Sequence, residues 1–356
     1  VRRAEIALGL LAALALLALL PACQRRPQFT PAGADSIRGN VDSFTVFARE
    51  ASDRWESGMN EEAAALSARA AHEAIRLRPN APWAERVRGV LDSLGIGAEV
   101  SGDEHAMVAN LFSRTDPEGE SWPYLFWRES DGARMQPIDG HGMHLGEVAL
   151  RGYGPGPMPS DTAQFAILWG RRVSGGQQPL LMTLQHARGG RWDLLQTLGP
   201  DSLGGTGTGE FSTSDSPPEL TIRSYRPTPH FDECATCPHV FHQRRYAWAS
   251  DGFHREDDRL VPSPYSTFAA FISALIADDR DRALPLVVDR SLIDFARHLD
   301  WQVASRGRWR VAPASDETGI EMIFFRGADD AFRVRFEARE GDWVIAGFES
   351  TSRTVE

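Results

Sequence analysis

The densest group of reactive side chains in this chain is Cys234-Ala-Thr-Cys237-Pro-His239-Val-Phe-His242. Two thiols and two imidazoles at this spacing suit four chemistries: a disulfide, a zinc site, thiol redox exchange and covalent haem attachment. Zinc requires Cys234, Cys237, His239 and His242 to converge on one tetrahedron, with His230 or His254 as further donors. If Val240 to Trp248 is a strand, His239 and His242 lie an odd number of residues apart and point to opposite faces, so the spacing works against a metal. Redox exchange wants its cysteines at the start of a helix that follows a strand, whereas the residues downstream here read as strand. Haem attachment needs a histidine directly after the second cysteine, where this chain has Pro238.

Other polar groupings are sparser. Asp139-Gly-His141-Gly-Met-His144 places two imidazoles and a carboxylate in a glycine-rich loop that lacks a third and fourth ligand at a metal spacing, so His141 and His144 are pocket or ligand candidates on an exposed loop. Leu203-Gly204-Gly205-Thr206-Gly207-Thr208-Gly209 has the glycine content of a phosphate loop, but strand-like residues follow it where a helix is needed, and it reads as a hairpin loop. Gly119-Glu-Ser121-Trp-Pro123 lacks the second glycine of a nucleophile elbow. Ser212 to Leu220 resembles the turn and strand of calcium-binding propeller repeats, yet only Asp215 and Glu219 supply carboxylates, too few for calcium's oxygen shell. No residue is assigned a catalytic role, no metal site is assigned, and no cofactor is expected.

Composition removes whole classes of function. All 38 basic residues are arginine, so Walker-A nucleotide binding, Schiff-base and pyridoxal chemistry and the protein-kinase fold, which need a lysine amine, are excluded. The formal net charge of -11 gives the chain no electrostatic reason to bind nucleic acid or anionic lipid heads.

The first residues, Arg2-Arg3 and then an apolar run from Ile6 to Leu20, form an export signal; the run of about 15 residues is short of the roughly 20 a membrane span needs. The end of that run, Leu20-Pro21-Ala22-Cys23, resembles the lipobox of bacterial lipoproteins, in which the cysteine becomes the lipidated N-terminus. The resemblance implies cleavage of residues 1 to 22, lipidation of Cys23, and attachment to the membrane through several acyl chains. It also implies an extracytoplasmic location in the bacterial envelope, on the periplasmic side. Gln24, in place of the aspartate that retains such proteins at the inner membrane, favours the outer membrane where the cell has one. With Cys23 committed to lipid, Cys234 and Cys237 are an even pair in an oxidising space, which favours an intrachain disulfide. The mature charge moves to about -12, and the roughly 330 remaining residues are enough for two or three domains.

The elements that must position these groups fall into blocks. Residues 23 to 40, rich in Arg, Pro, Gly and Ala, read as a flexible tether. Val41, Phe44, Phe47, Ala51 and Trp55, then Ala64, Ala68, Ala71 and Ile75, then Trp83, Val87, Val90, Leu91 and Leu94 recur at helical steps, with Pro79 to Pro82 separating the second and third runs. Residues 41 to 98 are therefore expected to form a helical hairpin module. Ser67, Ala71, Ala74 and Pro79 resemble the second helix of a tetratricopeptide repeat, over about half a repeat. From 104 to 261, short aromatic and β-branched runs between Gly, Pro, Asp and Ser clusters predict an antiparallel meander, either a sandwich or a propeller-like sheet. From 262 to 356, helices near Phe268 to Ile276, Arg280 to Val288 and Leu292 to Leu299, the last capped by Ser291, precede strands at Trp309-Val311, Ile320-Phe325, Phe332 to Ala338 and Trp343 to Phe348.

That order of elements, with the ending Gly341-Asp342-Trp343-Val344-Ile345-Ala346-Gly347-Phe348, resembles the nuclear transport factor 2-like superfamily, whose bent sheet wraps a helix. Enzymes of that superfamily place an Asp or His inside the cone as a general base; Asp294 and His298 share a helix face here and equally suit a surface pair. The expected fold class is thus multi-domain α+β. The expected function is lipid-anchored, non-catalytic binding or scaffolding, with an envelope protein or small ligand as partner. The alternative is a hydrolase or metal-dependent enzyme assembled from His141, His144, Asp294 or His298.

Overall fold

A computed structural model describes residues 38–79, 82–103, 105–130, 132–140, 142–152, 162–170, 178–212, 217–312, 320–328 and 330–351. The signal, Cys23, His141 and Asp215 lie outside these residues. The chain divides into two compact units, residues 1–98 and 99–356.

In the first unit the helical periodicities become α1 (Arg38–Glu56), α2 (Asn60–Leu77) and α3 (Trp83–Ser93). Helix α2 buries Ala63, Ala64, Ala68, Ala70, Ala71 and Ala74, small side chains that let neighbouring helices approach closely while keeping high helix propensity. Ser67 joins them without leaving its hydroxyl unsatisfied: Oγ donates to the Ala63 carbonyl at 2.6 Å and accepts from Trp55 Nε1 of α1 at 3.2 Å. Gly58, at φ +73°, makes the turn from α1 to α2. No helix among the described residues is long and apolar enough to cross a membrane.

The second unit holds three antiparallel sheets. The first is a meander, β1 (Gly97–Gly102), β2 (Ala106–Ser113), β3 (Asp116–Glu129) and β4 (Gly132–Pro137). The second comprises β5 (His144–Arg151), β6 (Gln164–Gly170), β7 (Gln178–Arg188), β8 (Arg191–Leu198), β9 (Thr206–Phe211), β10 (Leu220–Tyr225), β11 (His242–Ala249) and β12 (Gly252–Leu260). Its order is β12-β11-β10-β9-β7-β6-β5, with β8 pairing off this path to β7, and a short helix α4 (Pro200–Leu203) lies between β8 and β9.

Strand β6 is buried at every position. Phe165, Ile167 and Trp169 enter one core with Val108, Leu125 and Trp127 of the first sheet, while Ala166 and Leu168 enter another with Met182, Leu220, Ile222 and Trp248. An uninterrupted apolar run is what a strand covered on both faces requires.

The third sheet follows three helices, α5 (Pro264–Ile276), α6 (Arg280–Ala283) and α7 (Ser291–His298), and runs β13 (Trp309–Val311), β14 (Glu321–Arg326), β15 (Asp330–Arg339), β16 (Asp342–Ser350). Helix α5 starts with a capping box between Ser263 and Ser266 and with Pro264 in its first turn, where a missing N–H costs nothing. It drives Phe268 and Phe271 into a core with Trp301, Trp309, Phe324 and Phe332; the Phe268 and Phe324 rings stack at 3.7 Å. Ser291, expected as a cap, is instead the first residue of α7; the N-cap is Arg290, which makes no side-chain cap bond, and the Ser291 N–H donates to the Asp289 carboxylate at 2.7 Å, a bond that holds Asp289 below the usual carboxylate range.

Candidate functional site

Adjacent antiparallel strands are usually joined by a few residues. Between β10 and β11 the chain instead makes an excursion from Arg226 to Phe241 that reaches the third sheet. Phe231 forms a parallel bridge with Trp309. The Asp232 N–H donates to the Trp309 carbonyl at 2.7 Å, and the Trp309 N–H to that of His230 at 2.8 Å. Arg308 pairs with the Asp232 carboxylate and donates to the Phe231 carbonyl. The Phe231 ring is buried in the aromatic core beside Tyr265 and Phe268.

The base of this excursion encloses a carboxylate. Glu233, its side chain 6% exposed, accepts from Thr228 Oγ1 at 2.6 Å, the Thr228 N–H at 3.1 Å and the Tyr265 hydroxyl of α5 at 2.6 Å. Three donors replace the water that a buried carboxylate would otherwise lose. His239 Nδ1 lies 3.4 Å from Glu233 Oε2, within ion-pair range but without hydrogen-bond geometry, and neither ring nitrogen has a hydrogen-bond partner among the described residues. The imidazole is 2% exposed and stacks on Tyr225 with centroids 3.5 Å apart. Burial, reinforced by the Glu233 charge, raises both the Tyr225 and Tyr265 hydroxyls above the usual tyrosine value; for Tyr265 the hydrogen bond to Glu233 adds to the effect.

Directly after Glu233, Cys234 and Cys237 have sulfurs 2.17 Å apart, a disulfide distance, across a turn in which the Cys237 N–H donates to the Cys234 carbonyl at 3.0 Å. The face argument for His239 and His242 does not apply as expected: β11 begins at His242, and His239 sits in the excursion before it.

Against this frame lies a cleft of about 310 Å³ walled by the ends of β10 and β11, the start of the excursion and one side of α5. Three arginines line it, Arg226, Arg244 and Arg282, with His242; no carboxylate appears among the described lining residues. Arg244 is the best-held cation. Its Nε donates to Asp258 at 2.9 Å and its Nη1 to Ser224 Oγ at 2.8 Å, leaving Nη2 without a protein partner among the described residues. Asp258 also receives His242 Nδ1 at 2.8 Å. Partial burial works to raise the Asp258 carboxyl, but the bonds and charges of His242 and Arg244 outweigh it, and the group ends below its usual value. Arg226 donates to the Asp201 carbonyl at 2.7 Å and lies 3.5 Å from the Asp201 carboxylate, and Arg282 is largely exposed, 4.0 Å from the Asp279 carboxylate. The rest of the lining is mixed: Val240, Leu260, Ala269, Ala270 and Tyr225 supply apolar surface, and Ser224, Thr228, Ser266 and Ser273 bring hydroxyls among them.

Gly204 is what lets Arg244 lie where it does. It has φ +89°, and a Cβ built there would stand 1.8 Å from Arg244 Nη1 and 2.6 Å from Ser224 Oγ. The glycine-rich run thus supplies a cleft residue, although its later part is strand β9. Gly207 and Gly209 fit there because a Cβ would approach the Arg223 carbonyl oxygen to 2.1 Å and the Ile222 side chain to 2.4 Å.

The candidates singled out from sequence scatter. Of the candidate histidines, aspartates and cysteines among the described residues only His242 lines the cleft, while His239 lies buried against Tyr225. His144 is buried elsewhere, its Nδ1 2.8 Å from Glu99 Oε1, and Glu99 Oε2 also accepts from the Leu145 N–H at 2.7 Å. Asp294 pairs with Arg280 on the surface, and His298 is exposed at the end of α7. Among the described residues no group of three or more His, Cys, Asp or Glu is arranged to hold a metal ion. The three arginines escaped sequence reasoning because they are far apart in the chain; the only local signal was the glycine run that makes room for one of them. A scan against protein-family models finds no match to this chain, and a search of curated proteins finds none either.

Proposed function

We propose that this chain is a lipid-anchored binding protein of the bacterial envelope, held on the periplasmic side by Cys23 and acting without catalysis on a small ligand. The observation that carries the binding half is the cleft, a concave site whose lining combines apolar surface with convergent polar groups, as ligand pockets do. The competing enzyme reading draws on His141, His144, Asp294 and His298, and of the three that are described, His144, Asp294 and His298, none lines the cleft. In this reading residues 41–98 are a helical module, and residues 104–261 are a β-sandwich, supported by the core that joins faces of the first and second sheets. Residues 262–356 are a nuclear transport factor 2-like cone, supported by three helices preceding a four-stranded sheet with α5 against β16, where Thr267 Oγ1 donates to the Trp343 carbonyl at 3.1 Å.

Two measurements test it. In a bacterial host, a Cys23→Ala variant of the full chain is expected to leave the membrane fraction, and unchanged fractionation overturns the anchor. For binding, six-carbon alkyl probes with anionic, neutral and cationic heads are screened by thermal shift. A ligand at about a hundred times its Kd raises Tm by several degrees, and a shift that disappears in Ala270→Trp, which fills the cleft, places the ligand there. A screen in which no probe shifts Tm overturns binding at this site.

A further inference from the structure

Resting on that reading, we infer that the cleft takes a free small amphiphile with an oxyanion head, phosphate or carboxylate, and a short apolar body. The chain carries 49 acidic residues against 38 arginines, yet the described cleft lining contains three arginines, one histidine and no carboxylate. The carboxylates that partner these cations, Asp258, Asp201 and Asp279, lie outside the lining, so what a ligand in the cleft meets is N–H donors and no competing carboxylate.

The cations are also positioned. Arg244 is fixed on two of its nitrogens by Asp258 and Ser224, with side-chain exposure of 11%. Fixing Nε and Nη1 orients the remaining nitrogen before any ligand arrives, so little side-chain entropy is lost on binding. Gly204 accommodates this geometry at the cost of a left-handed backbone. Arginine N–H groups match oxyanions in a way they do not match neutral or cationic heads. In the same lining Val240, Leu260, Ala269, Ala270 and the Tyr225 ring offer apolar surface to the rest of the molecule, with Thr228, Ser266 and Ser273 among them. The volume of about 310 Å³ is at the small end of ligand pockets, which favours a free amphiphile over a diacyl lipid.

The test is titration calorimetry on the folded, non-lipidated protein with hexyl phosphate, hexanoate, hexyl glucoside, hexyltrimethylammonium and inorganic phosphate. The two anionic amphiphiles are expected to bind, and to bind more weakly as salt rises. Arg244→Gln should weaken them about tenfold, in keeping with a charge-assisted hydrogen bond. The exposed Arg282→Gln, whose replacement leaves the fold intact, should weaken them about threefold. Equal affinity for the glucoside or the ammonium compound overturns the oxyanion assignment while leaving the binding function standing; no binding by any probe removes both. Inorganic phosphate binding as tightly as hexyl phosphate overturns the apolar half. Capture of phosphatidylglycerol vesicles, but not phosphatidylcholine vesicles, in an Arg282-dependent manner overturns the free source in favour of a lipid head group. Undiminished binding by both arginine variants overturns the site.

Discussion

Replacing Tyr265 by Phe removes one oxygen and leaves the ring in its place beside Phe231 and Phe324. The lost bond, 2.6 Å to Glu233, is charge-assisted, and such bonds contribute about 1.5–3 kcal/mol. Glu233 keeps Thr228 Oγ1 and the Thr228 N–H, so the carboxylate is weakened in its site without being orphaned, and a loss of about 2 kcal/mol is expected. Glu233→Leu leaves three donors without their acceptor and should cost more, about 3–5 kcal/mol. If the two side chains act through each other, the double variant costs less than the sum of the single ones, with a coupling of about 1–2 kcal/mol. Urea unfolding followed by tryptophan fluorescence reads all three; Trp301 and Trp309 lie in the same core as Tyr265. There is a second signature in pH. The Tyr265 hydroxyl is raised above its usual value of 10.0, so its contribution is intact below pH 10 and is lost as pH climbs toward the folded value; Tyr265→Phe should flatten that alkaline limb. A loss under about 0.5 kcal/mol together with additive double-variant behaviour would refute the idea that Glu233 ties the excursion to α5.

Gly204→Ala should destabilise by about 1–3 kcal/mol through overpacking and a left-handed backbone and, by expelling Arg244, should reduce hexyl phosphate affinity as much as Arg244→Gln does. Replacing both Cys234 and Cys237 by Ser should cost about 2 kcal/mol, the entropy of closing so short a loop, and non-reducing mass spectrometry of the exported protein should find no free thiol at either position. Asp258→Asn should remove stability that is present above about pH 4 and that disappears as pH falls below the ordinary Asp value of 3.8; acid unfolding monitored by circular dichroism should show a shallower low-pH limb in the variant.

Much of the architecture is legible wherever burial is one-sided. The alternation of Phe332, Val334 and Phe336 marks β15, and the helical steps of Trp83, Val87, Val90 and Leu91 mark α3, because each element shows the core a single face. Legibility fails where local chemistry and tertiary role diverge. The Gly-Thr-Gly run reads as a loop by composition, yet β9 is a strand because β10 packs too close for any side chain at Gly207. Strand β12, Gly252–Leu260, was hidden by its acidic and basic residues, which lie on an edge of the sheet. At the site, the cysteine pair is visible in sequence because its partners are three residues apart. The cleft is not, since Arg226, Arg244 and Arg282 come from the excursion, β11 and a helix start, and only the folded chain brings them together.

The double burial of β6 has a consequence for how the second unit opens. Its peptide groups pair with β5 on one side and β7 on the other, and its side chains alternate between two cores. Neither core exposes its share of this strand without withdrawing the other's support. The amides of Phe165 to Trp169 should therefore be among the slowest to exchange with solvent deuterium, reporting a collective opening rather than local fraying, and the two cores should melt as one event.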